Sequence, residues 1–257
     1  MRLSRFDRDE FVGHRFEWQR GEHLYASEPT QQGKSFLLNQ LIQRVLSDYE
    51  PGELRFCSMM PKPRDPATSE WMPRIGLKEI HRWPPPKNWF GDPPAGHVLW
   101  PRHLKDAEQK VNRAHIGGVM RTAMKDLYWR GNSLTFIDDA HIAAVLCGLN
   151  PEIEEHLTAG GGMGAALWLA NQKPSGSQAT GSLTTFAYSA PTHLLLGHDP
   201  DERNLKRLSE IGGVNPDLIS DIVRSLPVHR IMTPGGPKNV SEKLYIHKLG
   251  YMCQVGL

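Results

Sequence analysis

Glu28-Pro29-Thr30-Gln31-Gln32-Gly33-Lys34-Ser35 is the stretch on which the reading of this chain turns. It satisfies the spacing G-x-x-x-x-G-K-[ST] at every fixed position but the first, where Glu28 replaces glycine. Residues 23–27 before it read as a short strand, and residues 36–46 after it carry apolar side chains at helical spacing. A strand feeding a tight turn that opens a helix aims backbone N–H groups and the positive helix end at one point, which favours an anion such as phosphate. Gly33 lets the backbone approach closely, Lys34 supplies a cation, and Ser35 supplies a hydroxyl. Glu28 gives up glycine's backbone freedom and brings a carboxylate near an anion site, which is tolerable only if its side chain turns away. The competing reading is an ordinary strand–turn–helix with a surface Gly-Lys-Ser.

Further strands are expected at residues 54–60, 97–100, 133–137, 165–170 and 192–196, with a terminal pair near 228–232 and 244–248. Helices are expected over 104–129, 152–158, 201–211 and 216–225, with a glycine-rich break at 160–162. The first twenty residues read as a short arm or edge element. Residues 61–101 hold many of the prolines, including Pro84-Pro85-Pro86, and read as an extended insertion without regular helix, interrupted by the strand at 97–100. Strands alternating with helices imply an α/β fold, a mainly parallel central sheet flanked by helices. One domain over residues 1–257 is the expected organisation.

A phosphate loop of this kind works with a carboxylate delivered by a second strand. Leu134-Thr135-Phe136-Ile137-Asp138-Asp139 supplies one, an apolar run ending in paired acids. The chemistry expected is nucleotide hydrolysis. Pro29, Thr30, Gln31, Gln32, Gly33, Lys34, Ser35 and Phe36 would cradle the phosphates of ATP, with Lys34 at the β- and γ-phosphates. Ser35 and Asp138 would hold Mg2+, and Asp139 would orient or deprotonate the attacking water. The plainer alternative is an Asp-Asp turn capping the following helix.

Residues 167–174, Leu167-Trp168-Leu169-Ala170-Asn171-Gln172-Lys173-Pro174, resemble the strand ending in Ala-Thr-Gln-Arg-Pro of the FtsK/HerA superfamily of DNA-pumping ATPases. Asn171 and Lys173 stand where the family has threonine and arginine. The likeness continues through Thr180-Gly181, Ala190-Pro191-Thr192 and Asp201-Glu202-Arg203, and Met60-Pro61-Lys62 resembles the family's Asp-Pro-Lys without its aspartate. The resemblance implies a RecA-like P-loop NTPase fold, ATP hydrolysis at the interfaces of a homo-oligomeric, hexameric ring, and double-stranded DNA as partner. It implies a γ-phosphate sensor at Gln172 and a trans-acting arginine at Arg203, with Arg207 and Arg130 as competing choices. Residues 173–182 match a channel-facing loop of the translocases, although a solvated connector fits their composition as well. A nucleotide-dependent switch with little turnover and an ATPase extruding a non-DNA substrate remain as other readings.

Composition narrows little beyond this. A net charge of +2 permits nucleic-acid contact without arguing for it. The three cysteines, Cys57, Cys147 and Cys253, form neither a zinc pattern nor a disulfide framework. No apolar run reaches the roughly 18 residues of a membrane span, and residues 1–7 lack a secretory apolar stretch, so a cytoplasmic protein is expected. The twelve histidines show no paired ligand spacing, and no transition-metal centre is expected. Trp71, Trp83, Trp89 and Trp100 are read either as an aromatic platform for single strands or, more simply, as packing for the proline-rich segment.

Overall fold

Strands covered on both faces are mostly apolar and buried along their length rather than alternating, and four segments fit that description. These are β2 (Leu24–Ser27), β6 (Ser133–Asp138), β7 (Ala165–Asn171) and β8 (His193–Gly197), buried along their whole lengths. The computed structural model describes residues 3–29, 32–63, 66–86, 92–172, 183–208, 211, 215–233 and 236–257. Thr30, Gln31, Trp89 and the loop 173–182 lie outside them.

Ten of the described strands form one sheet in the order β1-β12-β11-β8-β2-β7-β6-β3-β5-β4. Here β1 is Ser4–Phe6, β3 Arg55–Met59, β4 Leu77–Ile80 and β5 Gly96–Leu99. The later strands are β9 (Val228–Thr233), β10 (Gly236–Ser241), β11 (Lys243–His247) and β12 (Tyr251–Val255). From β4 to β8 all pairings are parallel, then β11 runs antiparallel to both β8 and β12. The last pair, β12 with β1, is parallel again, which makes the amino-terminal arm an edge strand. The expected terminal pair does not pair with itself: β9 joins β10 in a separate hairpin, and β11 joins the main sheet.

Successive side chains of a strand face opposite ways, and β7 shows the result. Leu167 and Leu169 enter a core with Met120, Met124 and Leu127 of the helix Gln109–Arg130. Trp168 and Ala170 enter the opposite core with Leu38, Leu41 and Ile42 of the helix Lys34–Leu46, together with Phe11 and Phe16 of the arm.

Residues 61–101 depart from expectation. They contain the helix Pro66–Arg74, and β4 and β5 extend the sheet to its far edge. Pro66 opens that helix, where a missing N–H has no intrahelical partner to lose, and Pro73 falls one residue before its end. The described tryptophans here, Trp71, Trp83 and Trp100, pack rather than form a platform. Trp100 is buried and donates to the Lys62 carbonyl at 2.8 Å, Trp83 donates to Asp126 at 3.0 Å, and Trp71 lies against the core. All three cysteines are free and buried. No helix among the described residues is long and apolar enough to cross a membrane.

Candidate functional site

In open parallel sheets ligands bind beyond the carboxyl ends of the strands, and there the ends of β2, β6 and β7 bring Lys34, Asp138, Asp139 and Gln172 near one another. Leaving β2, the Glu28 N–H donates to the Asn171 carbonyl at 3.1 Å. Gly33 caps the following helix with φ at +95°, and a Cβ there would meet Val240 at 2.7 Å. Both the backbone angle and the neighbour demand glycine at this position. Lys34 begins the helix, and its Nζ donates to the same Asn171 carbonyl at 2.9 Å. Burial lowers its pKa, opposed by the nearby Asp138, Asp139 and Glu28 carboxylates. Ser35 and Phe36 are exposed on the first turn, with the Arg8 guanidinium 4.7 Å from the Phe36 ring centre. Pro29 and Gln32 are half-buried, and the Gln32 carbonyl accepts from the Ser241 N–H at 3.3 Å and from Lys243 Nζ at 3.1 Å.

Glu28 is 1% exposed and turned toward β8, β10 and β11. Its Oε1 accepts from Ser241 Oγ at 2.6 Å and from Lys243 Nζ at 2.5 Å. The carboxylate lies over Gly197, where any Cβ would come within 2.5 Å of Oε1. Burial raises the Glu28 pKa against the pull of Lys243, and burial lowers that of Lys243 against the pull of Glu28. Desolvation thus outweighs pairing on both sides of the bridge, as is common for buried ion pairs.

At the end of β6, Asp138 and Asp139 are 6% and 8% exposed. Asp139 has φ at +65°, a left-handed turn that aspartate tolerates better than most residues. Lys62, just beyond β3, pairs with Asp138 at 2.6 Å. Lys62 had no role expected from the sequence, although its Pro-Lys setting after a strand was the available signal. Gln172, just beyond β7, donates from Nε2 to Asp139 Oδ2 at 3.1 Å. Burial raises the Asp139 pKa, while the cations Lys62 and Lys34 work in the other direction.

Arg203 has a different, local partner. It is exposed near the start of the helix Glu202–Leu208, its Nε 3.7 Å from Asp201. Arg130 pairs with Asp126 at 2.8 Å and precedes β6, at the end of that strand remote from Asp138. A surface groove lined by Gln109, Lys110, Arg113 and Val145 among others shares no residue with the constellation.

No family model and no curated protein sequence matches the chain, but solved structures do. The DNA-packaging ATPase B204 from Sulfolobus turreted icosahedral virus matches with a TM-score of 0.58 at 14% identity, over 92% of this chain and 98% of that one. The genome-packaging NTPase B204 from Sulfolobus turreted icosahedral virus 2, solved with AMPPCP, gives 0.57 at 13% over the same shares. VirB4 of Thermoanaerobacter pseudethanolicus gives 0.64 at 12%, over 91% of this chain and 88% of that one. These proteins belong to the FtsK/HerA superfamily of P-loop ATPases. At such identities the likeness establishes the fold, and it is the RecA-like P-loop fold expected from the sequence.

Proposed function

We propose that the chain is a single-domain, cytoplasmic ATPase of the FtsK/HerA type, which hydrolyses ATP to move or package double-stranded DNA as a hexameric ring. The observation that carries this reading is the convergence of Lys34, the Lys62–Asp138 pair and the Asp139–Gln172 bond beyond the ends of neighbouring strands. In this reading the N–H groups at the start of the helix and Lys34 bind the β- and γ-phosphates. Asp139 orients the attacking water and accepts its proton, and Gln172 links that carboxylate to the end of β7. Magnesium fits the donors present, because Ser35 offers a hydroxyl and Asp138 already holds one cation, Lys62. Bound there, the metal would neutralise charge on the phosphate oxygens. Arg203, exposed at the start of its helix, suits action on the nucleotide of a neighbouring subunit.

A switch with little turnover is the second reading, favoured by the aspartate at position 139, whose side chain is one methylene shorter than glutamate and reaches less far toward an attacking water. Steady-state ATPase assays with and without double-stranded DNA, run beside Lys34→Ala, separate the readings. The motor requires DNA-stimulated turnover that falls about 100-fold or more in the variant. ATP binding without turnover would establish the switch instead, and DNA-indifferent turnover would point to another substrate. A chain that stays monomeric with ATP and DNA would sink the ring.

A further inference from the structure

Far from the phosphate loop, at the opposite end of β2, two histidines and a glutamate meet. His193 opens β8 and His247 closes β11, and the two are direct partners in the antiparallel register. Residues so paired hold their Cβ atoms about 4.5–5.5 Å apart on one face of the sheet. Here the imidazole centres are 4.9 Å apart at 67°, edge to face rather than stacked. The third member, Glu22, sits on the turn leading into β2. Its Oε2 accepts from the Gln19 N–H at 2.7 Å, and its backbone carbonyl accepts from Trp18 at 2.9 Å.

His193 is fully buried and held from both sides. Nδ1 bonds the Tyr245 hydroxyl at 2.8 Å, and Nε2 faces Glu22 Oε2 at 3.0 Å. A histidine fixed through one ring nitrogen presents the other in a set direction, which is how metal-ligating histidines are oriented by their outer partners. One donor atom from each of Glu22, His193 and His247 lies within 4.8 Å of the others. Zinc bonds of about 2.0–2.1 Å with tetrahedral angles place ligand atoms roughly 3.3 Å apart. The Glu22–His193 pair already meets that separation, so closing the site falls mainly on His247, which is half-buried at a strand end. Two imidazoles with one carboxylate favour zinc or a neighbouring transition metal over calcium or magnesium, which prefer all-oxygen shells.

We propose that Glu22, His193 and His247 form a zinc-class transition-metal site that ties the antiparallel edge of the sheet to the turn before the phosphate-loop strand. It leaves a fourth position for water and stands independently of the ATPase reading. The ligands come from three separate segments, so no short spacing in the sequence betrays them.

Calorimetric titration of chelator-treated full-length chain with Zn2+ near pH 7.5, paired with Co2+ absorption spectra, tests it. One Zn2+ per chain is expected, with at least tenfold weaker binding in both His247→Ala and Glu22→Gln. A zinc-dependent rise in melting temperature should be present in the wild type and absent in both variants. Circular dichroism of the metal-free variants checks that they fold, and His247→Gln serves if the alanine variant does not. Lys34→Ala should bind Zn2+ like the wild type, which separates this site from the nucleotide site. Absence of saturable 1:1 binding, or equal affinity in the folded variants, overturns the proposal.

Discussion

Glu28 occupies the place where the phosphate-loop pattern has glycine, and its surroundings explain why a side chain is tolerated. The carboxylate turns under the loop to Ser241 and Lys243, so no negative charge is aimed at a phosphate. Lys243 also donates to the Gln32 carbonyl at 3.1 Å, which makes the buried bridge a brace for the loop backbone. Breaking such a bridge from one side strands the other charge, at a cost of about 3–5 kcal/mol. Glu28→Gln should therefore lose stability on that scale in urea unfolding. The double variant Glu28→Gln with Lys243→Met should regain most of it, because no unpaired ammonium is left. If the double variant is as unstable as the sum of the single ones, the two side chains are not coupled. The sequence flagged the missing glycine but not the remedy, since Lys243 lies 215 positions away along the chain.

At the scale of elements, Glu242 between β10 and β11 gathers several segments. Arg5 of β1 reaches it through Nε at 3.0 Å and Nη2 at 2.8 Å, Gln254 of β12 donates at 2.7 Å, and His229 of β9 lies at 2.9 Å. The hydrogen bond from Arg5 is the main cause that lowers its pKa to about 2, with Gln254 and His229 adding to it against the cost of burial. A depressed carboxylate stabilises the fold above its unfolded pKa, near 4.5, and that contribution is lost as pH falls through about 2. Glu242→Gln should lower stability near neutral pH by about 1–3 kcal/mol, since it weakens charge-assisted bonds. It should also flatten the loss seen between about pH 4.5 and 2 in acid unfolding, and an unchanged acid limb would count against this account. Legibility at this scale follows burial. β2, β6, β7 and β8 were readable because a strand covered on both faces is mostly apolar rather than alternating. β10, Gly236–Ser241, has no such pattern and exists through its pairing with β9. The helix Pro66–Arg74 and β4 escaped notice because counting prolines ignores where in an element each one falls.

The molecule as a whole has two cores on either face of one sheet, and the candidate site caps its middle strands. That arrangement was legible from the order of the motifs, since loop, acidic strand end and glutamine each follow a strand. Lys62 was only half legible: its Pro-Lys setting after a strand marked the place, but nothing local pointed to Asp138 as its partner. A nucleotide that binds only the folded chain adds about 2.7 kcal/mol at 100 times its dissociation constant. For a chain of this size that corresponds to a rise in melting temperature of roughly 5–10 °C. Saturating magnesium with a slowly hydrolysed ATP analogue should produce it in the wild type and not in Lys34→Ala, and equal shifts in both would place the ligand elsewhere. The carbonyl of Asn171 has a mechanical consequence. It receives the Glu28 N–H at the entry to the loop and the Lys34 ammonium at its exit, while the next residue, Gln172, grips Asp139. This peptide is a pivot between the two halves of the site. A tilt of the β7 terminus would pull on lysine and aspartate together, so that strain applied beyond Gln172 and chemistry at the phosphates would act on one lever.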